Sequence, residues 1–320
     1  MGSRRTAYLL LLGMAVCFGG TWPAGKLAVE ELEPFTVAAA RFLLASVILA
    51  LWAARRGPLR LPARSDLPLV LAMGATAVAG YNVLFLYGLE LAPATDGAII
   101  VPGLAPVFAV LIGWVALGER SSGRALLGLG LALAGLVVVV DPSGPVDRDR
   151  LAGAALFVAG AVCWGIYSHV GKPATERFGA VTATFYATAA GTLMLIPFSV
   201  VEQGWRGLGD SGPDAWLPIA YLGIFGTVLA FVFFYEGVRR IGSSPALSFA
   251  LLVPVFGVLS SVAILGEELR PSTVVGGAAV IAGLWLIQRR GEAEPVSKRR
   301  RRGTTRQCDS DAAHASIPGR

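Results

Sequence analysis

Ionisable and amide side chains are scarce in this chain, so the few that interrupt its apolar runs carry most of the chemical information. Arg41 stands inside the run 35–54, Asn82 inside 68–89, and His169 near the end of 151–171. An arginine in hydrocarbon costs several kcal/mol unless it is hydrated or paired, and marks a functional position by default. Arg41 lies about six residues from the end of its run, roughly 9 Å at the helical rise, so snorkelling to the interface is the competing reading. Asn82, an amide deep in a run, needs a hydrogen-bonding partner. Together with Trp22, Tyr81, Trp164, Tyr167, Ser168, Tyr186, Thr227, Tyr235 and Ser248, these residues are candidates to line a mostly apolar substrate pathway. For each of them, helix-to-helix hydrogen bonding or interface anchoring is the alternative. His169 can titrate near neutral pH and couple to protons, or simply supply interfacial polarity.

This is the chemistry of solute binding rather than of bond making. The nearest approach to a nucleophile and base is Gly242-Ser243-Ser244 with His169, without an activated-Ser turn or an orienting acid. No catalytic residue is assigned, and no enzyme is expected. A Gly-x-x-x-x-Gly-Lys-Ser/Thr loop is missing, so nothing points to ATP use. Two histidines (His169, His314) and three cysteines (Cys17, Cys163, Cys308) have no ligand spacing, so neither metal nor cofactor is expected. A pore would call for rings of like charge or carbonyl filters, and neither is visible.

The elements that position these groups follow from composition. The chain is 55% hydrophobic and 15% charged, with a mean hydropathy of +0.66. Soluble domains sit near a quarter charged, so the length of 320 residues counts membrane spans rather than soluble domains. About 20 apolar residues cross the hydrocarbon core. Ten runs qualify: 7–27, 35–54, 68–89, 94–117, 123–140, 151–171, 180–201, 216–237, 243–265 and 271–288. Lipid leaves backbone amides no external partner, so the runs should be helices. The net charge of +6 does not indicate nucleic-acid binding, because nine of the 27 basic residues lie in 289–320 and the others cluster between runs.

The runs repeat. At an offset of 148 residues Tyr87 falls on Tyr235, Pro106-Val107-Phe108 on Pro254-Val255-Phe256, and Leu117-Gly118-Glu119 on Leu265-Gly266-Glu267. About fifteen identities in roughly fifty positions indicate an ancient duplication. Ala15-Val16-Cys17 and Gly25-Lys26 return as Ala161-Val162-Cys163 and Gly171-Lys172, so the first run belongs to the repeated unit and is not read as a cleaved signal peptide. Two units result, 1–140 and 151–288, each with five spans. An odd span number forces the second to insert upside down, an architecture recurrent among secondary transporters.

Lys and Arg in the short loops set orientation. With the N-terminus cytoplasmic, about twelve basic residues fall inside and about five outside, which puts both termini in the cytoplasm and the protein in the inner or plasma membrane. The segment 289–320, with Lys298-Arg299-Arg300-Arg301-Arg302, reads as a basic disordered cytoplasmic tail. It serves either topology or contact with anionic lipid.

The remaining polar positions recur at hairpins. Glu119 and Glu267 sit badly at a helix C-terminus and well at the start of the next helix, so a turn and capping role is expected, with proton coupling or gating as the alternative. Lys26 and Lys172 read as interfacial anchors or as gates at opposite mouths. Pro102, Pro106, Pro245 and Pro254 should kink spans four and nine. Gly128 and Gly135, matched by Gly276 and Gly283, put small faces on spans five and ten, which should pack together or lie at the symmetry axis.

These residues carry a resemblance. Gly19-Gly20-Thr21-Trp22 with Lys26, Arg41-Phe42, and Pro106 with Gly118-Glu119 in the first half resemble the EamA-type transporters of the drug/metabolite transporter superfamily. Cys163-Trp164-Gly165 with Lys172, and Pro254 with Gly266-Glu267, repeat the pattern in the second half. Phe18 departs from the Trp usual before that glycine, while the second half keeps it as Trp164. The resemblance covers about 1–288 and implies a ten-helix secondary transporter exporting amino acids, other metabolites or drugs. The expectation is thus an all-α integral membrane protein of ten transmembrane helices, arranged as two inverted-topology five-helix repeats. Its partners would be a small-molecule substrate and the lipid bilayer, not nucleic acid. An importer or exchanger is the alternative function, and monomer and homodimer both stay open.

Overall fold

The computed structural model describes residues 2–56, 62–118, 123–140, 147–209 and 211–288. Among them are ten helices long and apolar enough to cross a membrane, and no strand. They are α1 Arg4–Glu31, α2 Pro34–Arg55, α3 Arg64–Leu91, α4 Ala94–Ala116 and α5 Gly123–Val140, then α6 Arg148–Phe178, α7 Ala180–Val201, α8 Pro213–Ile241, α9 Pro245–Leu265 and α10 Pro271–Gln288. Short connections make successive helices antiparallel. The N-terminus therefore marks a near end of the bundle, and the turns after α1, α3, α5, α7 and α9 mark the far end. Glu119 and the tail 289–320 lie outside the described residues.

The packing carries the duplication into three dimensions. α2 packs on α7, α4 on α9 and α5 on α10, while α3 and α4 both pack on α6, and α8 and α9 both pack on α1. Raising every helix number by five, counting round past ten, returns the same set of pairs. The α5–α10 seam shows why small residues stand there. A Cβ on Gly128 would sit 2.6 Å from the Gly283 carbonyl oxygen, and one on Gly135 would sit 2.7 Å from that of Gly276. Only bare backbones approach that closely in lipid. The outward surface is apolar: Leu9, Val115, Leu127, Leu193, Val201 and Leu217 are 63–79% exposed, as expected of a lipid-facing belt.

Several helices depart from regularity in ways that periodicity does not announce. α6 runs past its expected end at 171 to Phe178 and carries Pro173 inside, because proline removes one donor and the following turn recovers its bonds. Gly179, at φ 77°, then ends it. A short helix, Gly204–Leu208, fills the α7–α8 connection, secured where the Trp205 indole donates to Ser199 Oγ at 2.7 Å. α4 stays helical through Pro102 and Pro106. α9 breaks at Leu251, where Pro254 leaves the Ala250 carbonyl without its usual donor. Most telling, α3 and α8 each contain a π-helical segment, Gly74–Gly80 and Ile224–Leu229, at matching places in the two halves. π segments inside α-helices concentrate at functional sites.

Candidate functional site

The interruptions converge. α1 is broken at Gly20, between the helices Gly2–Gly19 and Thr21–Glu31, and it packs against the π segment of α8. α2, which is regular, crosses that segment and α3, and delivers Arg41 to the junction. Arg41 starts seven residues into α2, about 10 Å from the far end, and is only 6% exposed. Its side chain does not snorkel. Nε donates to Thr227 Oγ1 of α8 at 3.2 Å, and Nη1 donates to Asn82 Oδ1 of α3 at 2.9 Å. One guanidinium thus ties the two halves together beside both π segments.

Both acceptors are oriented by the same local device. Asn82 spends its amide donor on the Ala77 carbonyl at 3.0 Å, and Thr227 spends its hydroxyl proton on the Leu222 carbonyl at 2.9 Å. Each bond reaches five residues back, the spacing a π turn creates. Each side chain then turns its oxygen toward Arg41. The deep amide of α3 therefore has partners on both sides.

The other sequence candidates fall into separate groups. Trp22 is buried and packs edge-on against Phe85 at 5.0 Å and Phe157 at 6.0 Å. Tyr81, Trp164 and Tyr167 form an aromatic chain across α3 and α6, with centroids 5.1 and 5.4 Å apart. Tyr186 belongs to a cluster with Phe178 and Phe185 near the start of α7, and Tyr235 to one with Phe231 and Phe234 on α8. His169 donates from Nε2 to the Ala109 carbonyl of α4 at 2.8 Å. Ser168 bonds its own helix, and Ser248 lies exposed on α9. Arg41, Asn82 and Thr227 are hydrogen-bonded to one another through the guanidinium, and Tyr81, Trp164 and Tyr167 form a separate aromatic chain.

The hairpin residues do something that their local sequence does not show. Glu267 reaches away from its own turn to accept from the Ala94 and Thr95 amides, at 2.7 and 2.9 Å, and so caps α4 in the other half. Lys26 donates to the Leu89 carbonyl at the end of α3, while Lys172 is exposed. Pro106 and Pro254 sit on α4 and α9, which pack together. Sequence reading missed three further far-end contacts. Glu202 accepts from the Phe35 and Thr36 amides and from the Tyr87 hydroxyl, capping α2 from the α7–α8 connection. Arg150 of α6 forms a bidentate pair with Asp96 of α4 at 2.6 and 3.1 Å and also donates to the Val139 carbonyl of α5. An acid in the first turn of one apolar run and a base just before another were the available signal.

A groove of about 740 Å³ opens on the flank of the bundle between α1, α8 and α9. Its walls are largely apolar, with Glu30, Glu31 and Asp214 at the far-end mouth and Gly20, Tyr221 and Ser260 deeper in. A Cβ on Gly20 would collide with the Tyr221 hydroxyl, so the tyrosine closes over the break in α1. None of the sequence candidates lines this groove. Its inner end is nevertheless one residue from Thr21, which packs on Gly226 beside the Arg41 guanidinium.

The EamA-like transporter family matches this chain twice, over residues 5–141 and 151–289. A relative from Streptantibioticus cattleyicolor, named as a probable terminal-alkyne amino-acid exporter, is 31% identical over 277 residues, covering 86% of this chain and 91% of its own. An uncharacterized transporter of Archaeoglobus fulgidus is 30% identical over 288 residues, covering 88% and 96%. The fold also matches a solved crystal structure with a TM-score of 0.61 at 22% identity, over 91% of this chain and all of the other. The chain, helical among its described residues with ten membrane-crossing helices and built from two copies of one unit, belongs to the EamA-like transporters of the drug/metabolite transporter superfamily.

Proposed function

We propose that the protein is a secondary transporter that exports a small metabolite, an amino acid or related compound, or a drug by alternating access. It would act in the inner or plasma membrane with both termini cytoplasmic and the far end outside. The repeats are 1–140 and 151–288. The observation that carries this reading is a packing plan that is unchanged when the halves exchange roles, with the helix interruptions gathered at one buried junction. Such a scaffold can adopt either of two mirror-related arrangements around a fixed site, and discontinuous helices supply polar groups there. The name of the amino-acid exporter relative supports the direction.

Arg41, Asn82 and Thr227 form the centre of the proposed pathway. Tyr81, Trp164 and Tyr167 line it toward the near end, and Glu267 and Lys26 hold the far end shut. The test is comparative metabolite analysis of medium and cytosol from cells expressing wild type or an Asn82→Ala/Arg41→Ala double variant at equal membrane abundance. A compound enriched outside by wild type alone is expected. Enrichment that survives in the variant discards the site, and an absence of any exported compound discards the exporter.

A further inference from the structure

The geometry points to Arg41 as a carboxylate-recognition site that takes a monoanionic head group on an apolar body. This names a substrate class for the junction and rests on its being the transport site.

The first ground is charge. Arg41 is 6% exposed, and among the described residues no carboxylate stands within ion-pair distance of it. Arg150, the other buried arginine among the described residues, has Asp96 as its acid. A buried guanidinium stays ionised, and an isolated buried charge is costly, so the junction is built for a counter-charge from outside the chain.

The second ground is donor geometry. Of the five N–H groups on a guanidinium, Thr227 and Asn82 take one each. Nη2 and the second Nη1 proton make no hydrogen bond among the described residues, and the guanidinium carbon lies over the Phe42 ring, 4.8 Å from its centroid. These N–H groups belong to the edge that grips a carboxylate with two parallel bonds. The engaged groups hold the plane fixed, since their acceptors are themselves locked by bonds five residues back. A Cβ on Gly226 would collide with the Thr21 methyl and stand 3.7 Å from Nη2, so glycine lets Thr21 pack there beside the guanidinium.

The third ground is shape. The neighbouring groove has the volume of a small-molecule pocket and mostly apolar walls, and Gly20 and Tyr221 line it on the side toward Thr21, whose methyl packs beside Arg41. An apolar body fits the groove, while the carboxylates at its mouth disfavour an anion there and leave the guanidinium as the resting place for the charge. One guanidinium balances one negative charge, which favours a carboxylate over a phosphate dianion.

The test uses the purified full chain in nanodiscs and follows thermal unfolding with matched acids and amides. The probes are L-leucine, N-acetyl-L-leucine and hexanoate against L-leucinamide, N-acetyl-L-leucinamide and hexanamide, with inorganic phosphate alongside. The acids are expected to raise the melting temperature and the amides to leave it unchanged. Asn82→Asp places a permanent counter-charge beside Arg41 and is expected to remove the response without unfolding the protein. Arg41→Lys is expected to weaken it about tenfold, since a point charge replaces a fork. Equal stabilisation by acids and amides, stabilisation by phosphate in their place, or an unchanged response in Asn82→Asp would each overturn the assignment. So would a wild type that no acid stabilises. If such a protein still exports a compound from cells, the transporter reading stands and the carboxylate site alone fails.

Discussion

The two ends of the bundle are fastened differently. At the far end Arg150 and Asp96 pair with side chains 9% and 2% exposed, and Glu202 and Glu267 each cap a helix of the other half. At the near end Arg177 reaches Asp66 with its own side chain 55% exposed, and Glu236 pairs only with Arg239 and Arg240 of its own helix. Both ends cross between halves, but only the far end does so with both charges of the pair buried; at the near end Asp66 is 4% exposed and its arginine is open to solvent. A packing plan that is symmetric under exchange of the halves is thus locked by contacts that are not. Alternating access as proposed here requires those far-end contacts to break, and near-end contacts to tighten in turn.

The difference can be broken by mutation. Asp96→Ala strands a buried arginine and should cost about 3–5 kcal/mol, read as the largest fall in melting temperature of the purified protein. Glu267→Ala removes two charge-assisted caps from α4, with an expected loss of about 1–2 kcal/mol. Glu202→Ala should behave similarly through α2. Arg177→Ala removes a solvent-exposed guanidinium from the buried Asp66 and should cost about 1–2 kcal/mol, less than Asp96→Ala and more sensitive to salt. If Arg177→Ala proved as damaging as Asp96→Ala, the contrast between the ends would be wrong. A sharper version labels single cysteines placed in each set of loops. Glu267→Ala should speed labelling at the far end and leave the near end unchanged.

Much of the fold was legible because the lipid requirement is so strict. The expected run 123–140 coincides with α5, and most other boundaries moved by only a few residues. The four seam glycines stood out as small residues in a repeated register, and they meet backbone to backbone. The site was legible only in part. Arg41, Asn82 and Thr227 each looked out of place in an apolar run, yet nothing local says that they meet across helices two, three and eight. The π segments have no sequence period that separates them from α-helix, so the device that aims Asn82 and Thr227 was invisible. Glu267 was readable as a capping acid, but a hairpin does not specify which helix its carboxylate will reach. Asp96 and Arg150 looked like ordinary charges at the ends of runs, because burial is decided by neighbours remote in sequence.

The π segment in α3 has a consequence for how this protein can vary. Such a segment amounts to one residue more than an α-helix of the same span needs. Losing one residue between Gly74 and Gly80 would let the helix run regularly over the same span and leave the residues beyond it on nearly the same face. What Asn82 would lose is the bond five residues back to the Ala77 carbonyl that orients it, while every apolar residue remained in an apolar helix. A deletion that hydropathy would score as silent would thus loosen the amide that meets Arg41, on the guanidinium that Thr227 of the other half also holds.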